Sequence, residues 1–566
     1  MSELASEPVN TSTDTIIIRI PRQPGPREAR GPRSRRWWRA HWRSAAVLVP
    51  VLTVAGVVTG WNLQGWPGRV DDDEGTYVAE AWAMLYQHHL SHYTYWYDHP
   101  PLGWAQIALF GWLTDSFHRV SSAVMLGREF MWCLTLAGCV LLFVCCRRLG
   151  LRRVTACVAV TLFVVSPLAV WYHRMVSLDN LGTVWLLAAL AIAASRRHSL
   201  GAAFWSATAL AIGILSKETV VILAPAVVCV LWQHTRRRTR RWNLGIFGVT
   251  LGLLLAGYPL FAALRGELLP GQGHVSLLWS LWWQFLGRTG SGSPLTGGST
   301  SHWLLDLWLQ LDPWLLGAGI ALAVPALLVR RLWPVSLGLL IQVLVPMKGG
   351  YLPYFYVTSV LPFAAVLVAG AGEALWFPGE ALWFSGGTRW LRFTGRRARW
   401  AGRGAVAACA FAFAAGVAPQ WWGELSAQAR VQGDAGSMAA TRWVEGNLPR
   451  SALVVVDDYI WPDLKTHGMN PLWMWKVGGD PQVSQVDLPD GWRSIRYVVV
   501  TYQTASMLNQ MPVLAAAVSH SVVAAAFDDG VTVREVLPVP PSPDATAPFS
   551  DPHLPVEWPT EPVISG

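Results

Sequence analysis

The sequence predicts a polytopic α-helical membrane protein that carries a small α/β domain near its C-terminal end. Three observations predict it. Of 566 residues, 52% are hydrophobic and only 14% are charged, whereas a soluble domain carries roughly 25% charge. The apolar residues gather in runs of about 17–22, the length of helix that crosses a bilayer. Beyond residue 425 the long runs give way to short, alternating helix and strand patterns.

The runs predict about eleven transmembrane helices, at 45–64, 126–146, 154–172, 181–195, 200–216, 219–234, 243–263, 313–329, 332–347, 354–371 and 403–420. With the N-terminus in the cytoplasm, the inner loops carry Arg147, Arg148, Arg152 and Arg153, then Arg196 and Arg197, then Arg236 to Arg241, then Arg330 and Arg331, then Arg392 to Arg399. The opposite loops carry an acidic stretch, Asp179, Glu218 and a long segment at 264–312. Every turn satisfies the positive-inside bias of a plasma-membrane protein. An odd number of spans then places the C-terminal domain outside the cytoplasm. The formal net charge of +9 sits in these short blocks, so it sets topology and does not imply nucleic acid.

Residues 1–44 are basic and Pro-rich, too long and too charged for a cleavable signal peptide. Their first 30 residues have the composition of disorder. Arg35 to Arg43, with Trp37, Trp38 and Trp42 interleaved, reads as an interfacial anchor. The transmembrane domain covers 45–424, with outer loops at 65–125 and 264–312. In the first loop, Val78–Leu90 and 101–113 are expected to be short Trp-rich helices along the interface, with Pro100 and Pro101 opening the second. The second loop is Gly/Ser-rich at 287–301 and is expected to be mobile above a site. A tandem repeat, Gly372–Phe377 and Gly379–Phe384, reads as a cytoplasmic interfacial segment.

The α/β domain spans 425–536. Helices are expected at 434–447 and 506–519, with strands at 452–456, 496–501, 522–527 and 531–536. A Pro-rich tail follows at 537–566. No GxGxxG motif follows a strand, so nucleotide binding has no support. All seven cysteines fall in or beside apolar runs, with no disulfide or zinc spacing.

The chemistry is sought at Asp71-Asp72-Asp73-Glu74, just after the first span. Four adjacent carboxylates at a membrane surface repel one another, and such a cluster suits a proton acceptor or a cation site. Tyr97-Asp98-His99-Pro100-Pro101-Leu102-Gly103 follows. Arg128, Lys217 and Lys348 lie at outer ends of spans, against the topological bias, which invites a shared anionic ligand. Arg174 and Arg288 stand behind them as candidates. Asp179 is either an N-cap of the fourth span or an acid facing the site. His99 either caps the helix behind it or contacts a ligand. Asp457 to Asp463, an acidic and aromatic turn, either touches sugar rings or packs the domain on the membrane part.

Asp73-Glu74-Gly75-Thr76-Tyr77 followed by His99-Pro100-Pro101-Leu102-Gly103 resembles the first outer loop of the GT-C membrane glycosyltransferases. The nearest branch contains the phosphodolichol-mannose protein mannosyltransferases and the lipid A aminoarabinose transferase. Arg174-Met175-Val176-Ser177-Leu178-Asp179, Leu215-Ser216-Lys217-Glu218 and Lys348-Gly349-Gly350-Tyr351 resemble later segments of the same family, so the resemblance covers about 45–370. It implies transfer of a hexosyl or pentosyl group, with inversion, from a polyprenyl-phosphate donor on the outer face. It further implies Asp73 as the general base, Glu74 as its partner and Asp179 as a second acid. His99, Arg128, Arg174, Lys217, Lys348 and Tyr351 would bind substrate. The acidic run is longer than the family's pair, so Asp72 is an alternative base. A divalent metal at Asp73 and Asp179 is neither required nor excluded. The acceptor is an envelope glycan, lipid or protein. A transporter or lipid flippase is the alternative class, although no paired broken helices are visible. A non-catalytic assembly protein is a third, against which the intact Asp-Glu pair argues.

Overall fold

The computed structural model describes residues 33–68, 72–92, 97–195, 199–271, 275–377, 396–478 and 480–537. The N-terminal 32 residues, Asp71, Arg196, Arg197, Arg392, the second copy of the short repeat and the Pro-rich tail from 538 lie outside them.

Among the described residues, five helical segments are long and apolar enough to cross a membrane: Trp42–Gly60, Ala123–Arg148, Arg240–Leu264, Tyr354–Trp376 and Arg399–Gln428. A sixth is a pair, Arg153–Val165 and Pro167–Arg174, bent by 68°. The bend replaces the straight span expected at 154–172. Its cause is local: Pro167 has no N–H to continue the ladder, and Ser166 caps the new helix through Ala169 N at 3.3 Å. Shorter apolar helices follow at Leu178–Ala193, Leu200–Ser216, Glu218–Gln233 and Pro313–Ala323.

Burial separates central helices from peripheral ones. In Tyr354–Trp376, 78% of the best apolar window is buried, against 11% in Arg240–Leu264. The second helix leaves Val249, Leu253, Leu260 and Leu264 exposed. Such apolar faces are stable only in apolar surroundings.

α1 (Arg33–Gly60) leads to α2 (Asp73–Trp82), which continues as a wider turn to Gln87. The helix expected at Val78–Leu90 starts earlier, at Asp73, and is enclosed by protein. Glu74 to Trp82 are all buried, and one apolar cluster joins Tyr77 and Val78 to Val454, Tyr459 and Trp461 of the C-terminal region. Two glycines permit this approach. A Cβ on Gly75 would lie 2.5 Å from the Asp458 carbonyl carbon, and one on Gly127 would lie 2.8 Å from Val78 Cγ2. α3 (Leu102–Thr114) follows Pro100-Pro101. A Cβ on its Gly103 would lie 3.0 Å from Ser216 O, so α3 packs tightly on the end of Leu200–Ser216.

The C-terminal region contains β1 (Leu453–Val456), β2 (Asn470–Trp473), β3 (Tyr497–Val500), β4 (Ser521–Ala526) and β5 (Thr532–Val536). The sheet order is β2-β1-β3-β5-β4. β1 runs parallel to β2 and β3, while β5 pairs antiparallel with β3 and β4. β2 was not expected: it has four residues, and Pro471 within it reads against a strand. It is an edge strand, where a missing N–H costs no ladder bond. The helix expected at 506–519 is split into Tyr502–Met507 and Pro512–Ser519, because Pro512 starts a new helix.

The long outer segment is more ordered in its pattern than its composition suggests. It holds helices Leu277–Trp282 and Thr300–Leu311. Its Gly/Ser stretch is pinned to the loop before Tyr354: Ser291 N donates to Gly350 O at 3.2 Å, and Leu352 N donates to Ser291 Oγ at 3.1 Å.

Candidate active site

A cavity of about 480 Å³ opens where these segments meet. Asp72, Asp73 and Thr76 from the start of α2 line it, with Asp98 and His99 before α3 and Lys217 and Glu218 after Leu200–Ser216. Trp283, Gln284 and Arg288 come from the long outer segment, and Lys348, Tyr351 and Tyr354 from the loop beside it. Trp473 and Trp475 come from the C-terminal region.

Asp73 opens α2, a position that favours a carboxylate near the free N–H groups of the first turn. Next to it, Asp72 is pushed up to about 7, chiefly by burial and then by the charge of Asp73. Asp458 is also raised well above the ordinary carboxylate range, by burial, Asp72 and Asp457. Asp458 Oδ2 accepts from Thr76 N at 3.0 Å and Thr76 Oγ1 at 3.2 Å. Burial and mutual repulsion thus raise both carboxyls above the ordinary carboxylate range.

His99 is the hub of the inner wall. Its Nδ1 lies 3.0 Å from Glu218 Oε2, and its Nε2 lies 2.9 Å from Lys217 Nζ and 3.3 Å from Tyr77 OH. Burial lowers the imidazole pKa, but Asp98 and Glu218 outweigh it and the net shift is upward. Lys217 owes its position to a break between two helices. The helix stops at Ser216, and Lys217 takes an extended conformation (φ −151°, ψ 114°) that turns its side chain toward the cavity. Lys217 Nζ also lies 3.8 Å from Asp179 Oδ2. Asp179 stands behind the lining, where Ser177 caps its helix through Asp179 N at 3.1 Å.

The other end of the cavity is cationic. The Arg288 guanidinium lies 3.8 Å from the Tyr351 ring centroid and 4.6 Å from that of Trp283. It donates to Gln284 Oε1 at 3.2 Å, and Gln284 Nε2 donates to Asp98 Oδ1 at 2.9 Å. Lys348 lies on the same wall. Among the described residues neither Arg288 nor Lys348 has a carboxylate partner, so their charge is available to an anion.

Of the residues singled out in the sequence, Asp72, Asp73, His99, Lys217, Arg288, Lys348 and Tyr351 line the cavity. Glu74, Arg128, Arg174 and Asp179 do not. Arg128 was expected to face a ligand phosphate. It instead forms a two-pronged pair with Glu74, at 3.0 and 2.8 Å, and both side chains are fully buried. It also donates to Leu63 O and Gln64 O, and lies 3.7 Å from Asp434. Arg174 was expected at the substrate as well. Its guanidinium is spent on Trp66 O, Val58 O and Asn62 O, which closes the carbonyl end of α1. The Asp457–Asp463 turn packs on the membrane part: Asp458 binds Thr76, and Asp463 accepts from Ala123 N at 2.6 Å. Among the described residues no group of three or more His, Cys, Asp or Glu is arranged to hold a metal ion. Asp98, Glu218, Gln284, Trp473 and Trp475 were not singled out. Asp98 and Glu218 are immediate neighbours of flagged residues. Nothing local marks the two tryptophans, which reach the cavity from nearly 400 residues away in sequence.

Residues 98–259 match the family model described as dolichyl-phosphate-mannose-protein mannosyltransferase. No curated protein matches by sequence. The crystal structure of ArnT from Cupriavidus metallidurans bound to undecaprenyl phosphate superposes with a TM-score of 0.55 at 14% identity, covering 87% of this chain and 98% of that one. Its apo form gives 0.55 at 15%, covering 88% and 98%. The Archaeoglobus fulgidus oligosaccharyltransferase tethered to an acceptor peptide gives 0.50 at 12%, covering 89% and 75%. In its fold, and between residues 98 and 259 in its sequence, the chain resembles the GT-C membrane glycosyltransferases.

Proposed function

We propose that the chain transfers a sugar from a polyprenyl-phosphate donor to an acceptor hydroxyl at the outer face of the plasma membrane. About eleven spans put the N-terminus in the cytoplasm and the C-terminal α/β domain outside. The observation that carries this reading is the polarity of the cavity. The lining brings carboxyls, Asp72, Asp73 and Asp98, into one space with Arg288 and Lys348, and Arg288 stacks on Tyr351 and Trp283.

Asp73 accepts the proton of the acceptor hydroxyl as its oxygen attacks the anomeric carbon. The bond from that carbon to the phosphate oxygen breaks, and polyprenyl phosphate leaves with the electron pair. Arg288 and Lys348 neutralise the departing phosphate, and Lys217 extends the positive charge toward the reacting centre. His99 and Glu218 orient Lys217, and Asp179 balances its charge. Glu74, Arg128 and Arg174 fix the frame of α2. The sugar is a hexosyl or pentosyl group.

Mass spectrometry of envelope glycans tests the reading. A strain that lacks the chain should lose one sugar linkage, restored by the wild-type chain and not by Asp73→Asn. An unchanged glycan profile would contradict it.

A further inference from the structure

The acidic end of the cavity has a wall that the transfer chemistry does not use. Trp473 and Trp475, at the end of β2 and just beyond it, face the space beside Asp72 and Asp73. Trp475 is half-buried and lines the cavity together with Asp72. Trp473 is buried behind, with its ring centroid 4.6 Å from that of His92. Lys476, next in sequence, donates to His92 O at 2.7 Å, which anchors the segment to the first outer loop.

These tryptophans are separate from Tyr351 and Trp283, which stack on Arg288. Three carboxyls, Asp72, Asp73 and Asp98, line the same cavity. They repel a phosphate or a uronic acid and accept hydrogen bonds from hydroxyl groups. An indole face is electron-rich and suits the polarised C–H face of a sugar ring. An aromatic wall with a few convergent oxygen acceptors therefore fits a neutral polyol. β2, the strand that leads into this wall, has Pro471, Leu472 and Trp473 buried, so it offers no open ladder to an extended peptide.

We propose that Trp475, backed by Trp473, forms a carbohydrate subsite in the cavity, and that the acceptor is a neutral glycan whose terminal ring stacks there with one hydroxyl at Asp73. The proposal rests on the transferase reading and narrows its acceptor to one class. It also gives the C-terminal domain a part in substrate selection.

The test uses the full chain in lipid nanodiscs. Saturation-transfer NMR is recorded with mannotriose, an arabinofuranose trisaccharide, a galactofuranose disaccharide, cellotriose and a Ser/Thr-rich hexapeptide. At least one oligosaccharide should bind. Trp475→Phe should keep its affinity within about threefold, and Trp475→Leu should weaken it about tenfold or more. Leucine preserves apolar bulk without the π face, so a packing role would make the two variants alike. Equal binding by both variants, binding of the hexapeptide alone, or no oligosaccharide binding would overturn the proposal. Undecaprenyl phosphate is titrated into the same wild-type sample. If it binds and no oligosaccharide does, only the subsite fails; if neither binds, the transferase reading fails with it.

Discussion

The Lys217 ammonium lies 2.9 Å from Nε2 of His99. That nitrogen accepts a proton bond only while the imidazole is neutral, with its Nδ1 proton given to Glu218 at 3.0 Å. Protonation of His99 would set two cations against each other and turn Lys217 away. Asp98 and Glu218 hold the imidazole pKa above its ordinary 6.5, so this acid limb should begin at higher pH than for a free histidine. We expect kcat/KM of the wild type to fall as pH drops through that limb, and His99→Gln to flatten it. His99→Ala should lower kcat about 10- to 100-fold at pH 8. An unaltered pH profile in His99→Gln would contradict the relay.

Asp72 offers a second pH dependence, in stability. Its carboxyl is raised from 3.8 to about 7 in the fold. The folded state therefore holds a proton that the unfolded chain has lost. This contribution to stability is complete below the unfolded value and disappears as pH rises through about 7. The melting temperature of the wild type should fall between pH 6 and pH 8, and Asp72→Asn should fall less. Calorimetry in detergent reads the difference; parallel curves would refute it.

Glu74 and Arg128 are fully buried partners. Removing one partner leaves a buried charge alone, which costs about 3–5 kcal/mol. Glu74→Gln and Arg128→Met should each lower stability by that order in denaturant titrations. The double variant Glu74→Gln/Arg128→Met should cost less than the sum of the two. Additive losses would show that the pair does not act as a unit.

Arg288 and Lys348 should act on donor binding. Arg288→Ala and Lys348→Ala should each raise the donor KM about tenfold with smaller changes in kcat. High salt should mimic the effect in the wild type. A change in kcat alone would place them elsewhere in the reaction.

The stretches that the sequence marks as unusual do meet around one cavity. Asp73 and His99 are legible from the acidic run and the His-Pro-Pro turn, and Lys217 and Lys348 because each puts positive charge where topology disfavours it. Arg128 and Arg174 satisfy the same criterion for another reason: a guanidinium that binds phosphate and one that closes buried carbonyls are the same residue type at the same depth. Only packing separates them. The break of the bent pair at Ser166-Pro167 was available locally, yet the hydropathy of 154–172 masked it. β2, with Trp473 at its end and Trp475 just beyond, was hidden because its place at the cavity arises from contacts with residues about 400 positions earlier. Proline in an edge strand removes the pattern by which strands are recognised.

The most direct measurement is turnover by purified protein with a labelled polyprenyl-phosphate sugar. The wild type should release free polyprenyl phosphate in step with labelling of a glycan acceptor, and Asp73→Asn should lose at least about 1,000-fold in kcat while still binding the donor. Release that persists undiminished in Asp73→Asn would contradict the account.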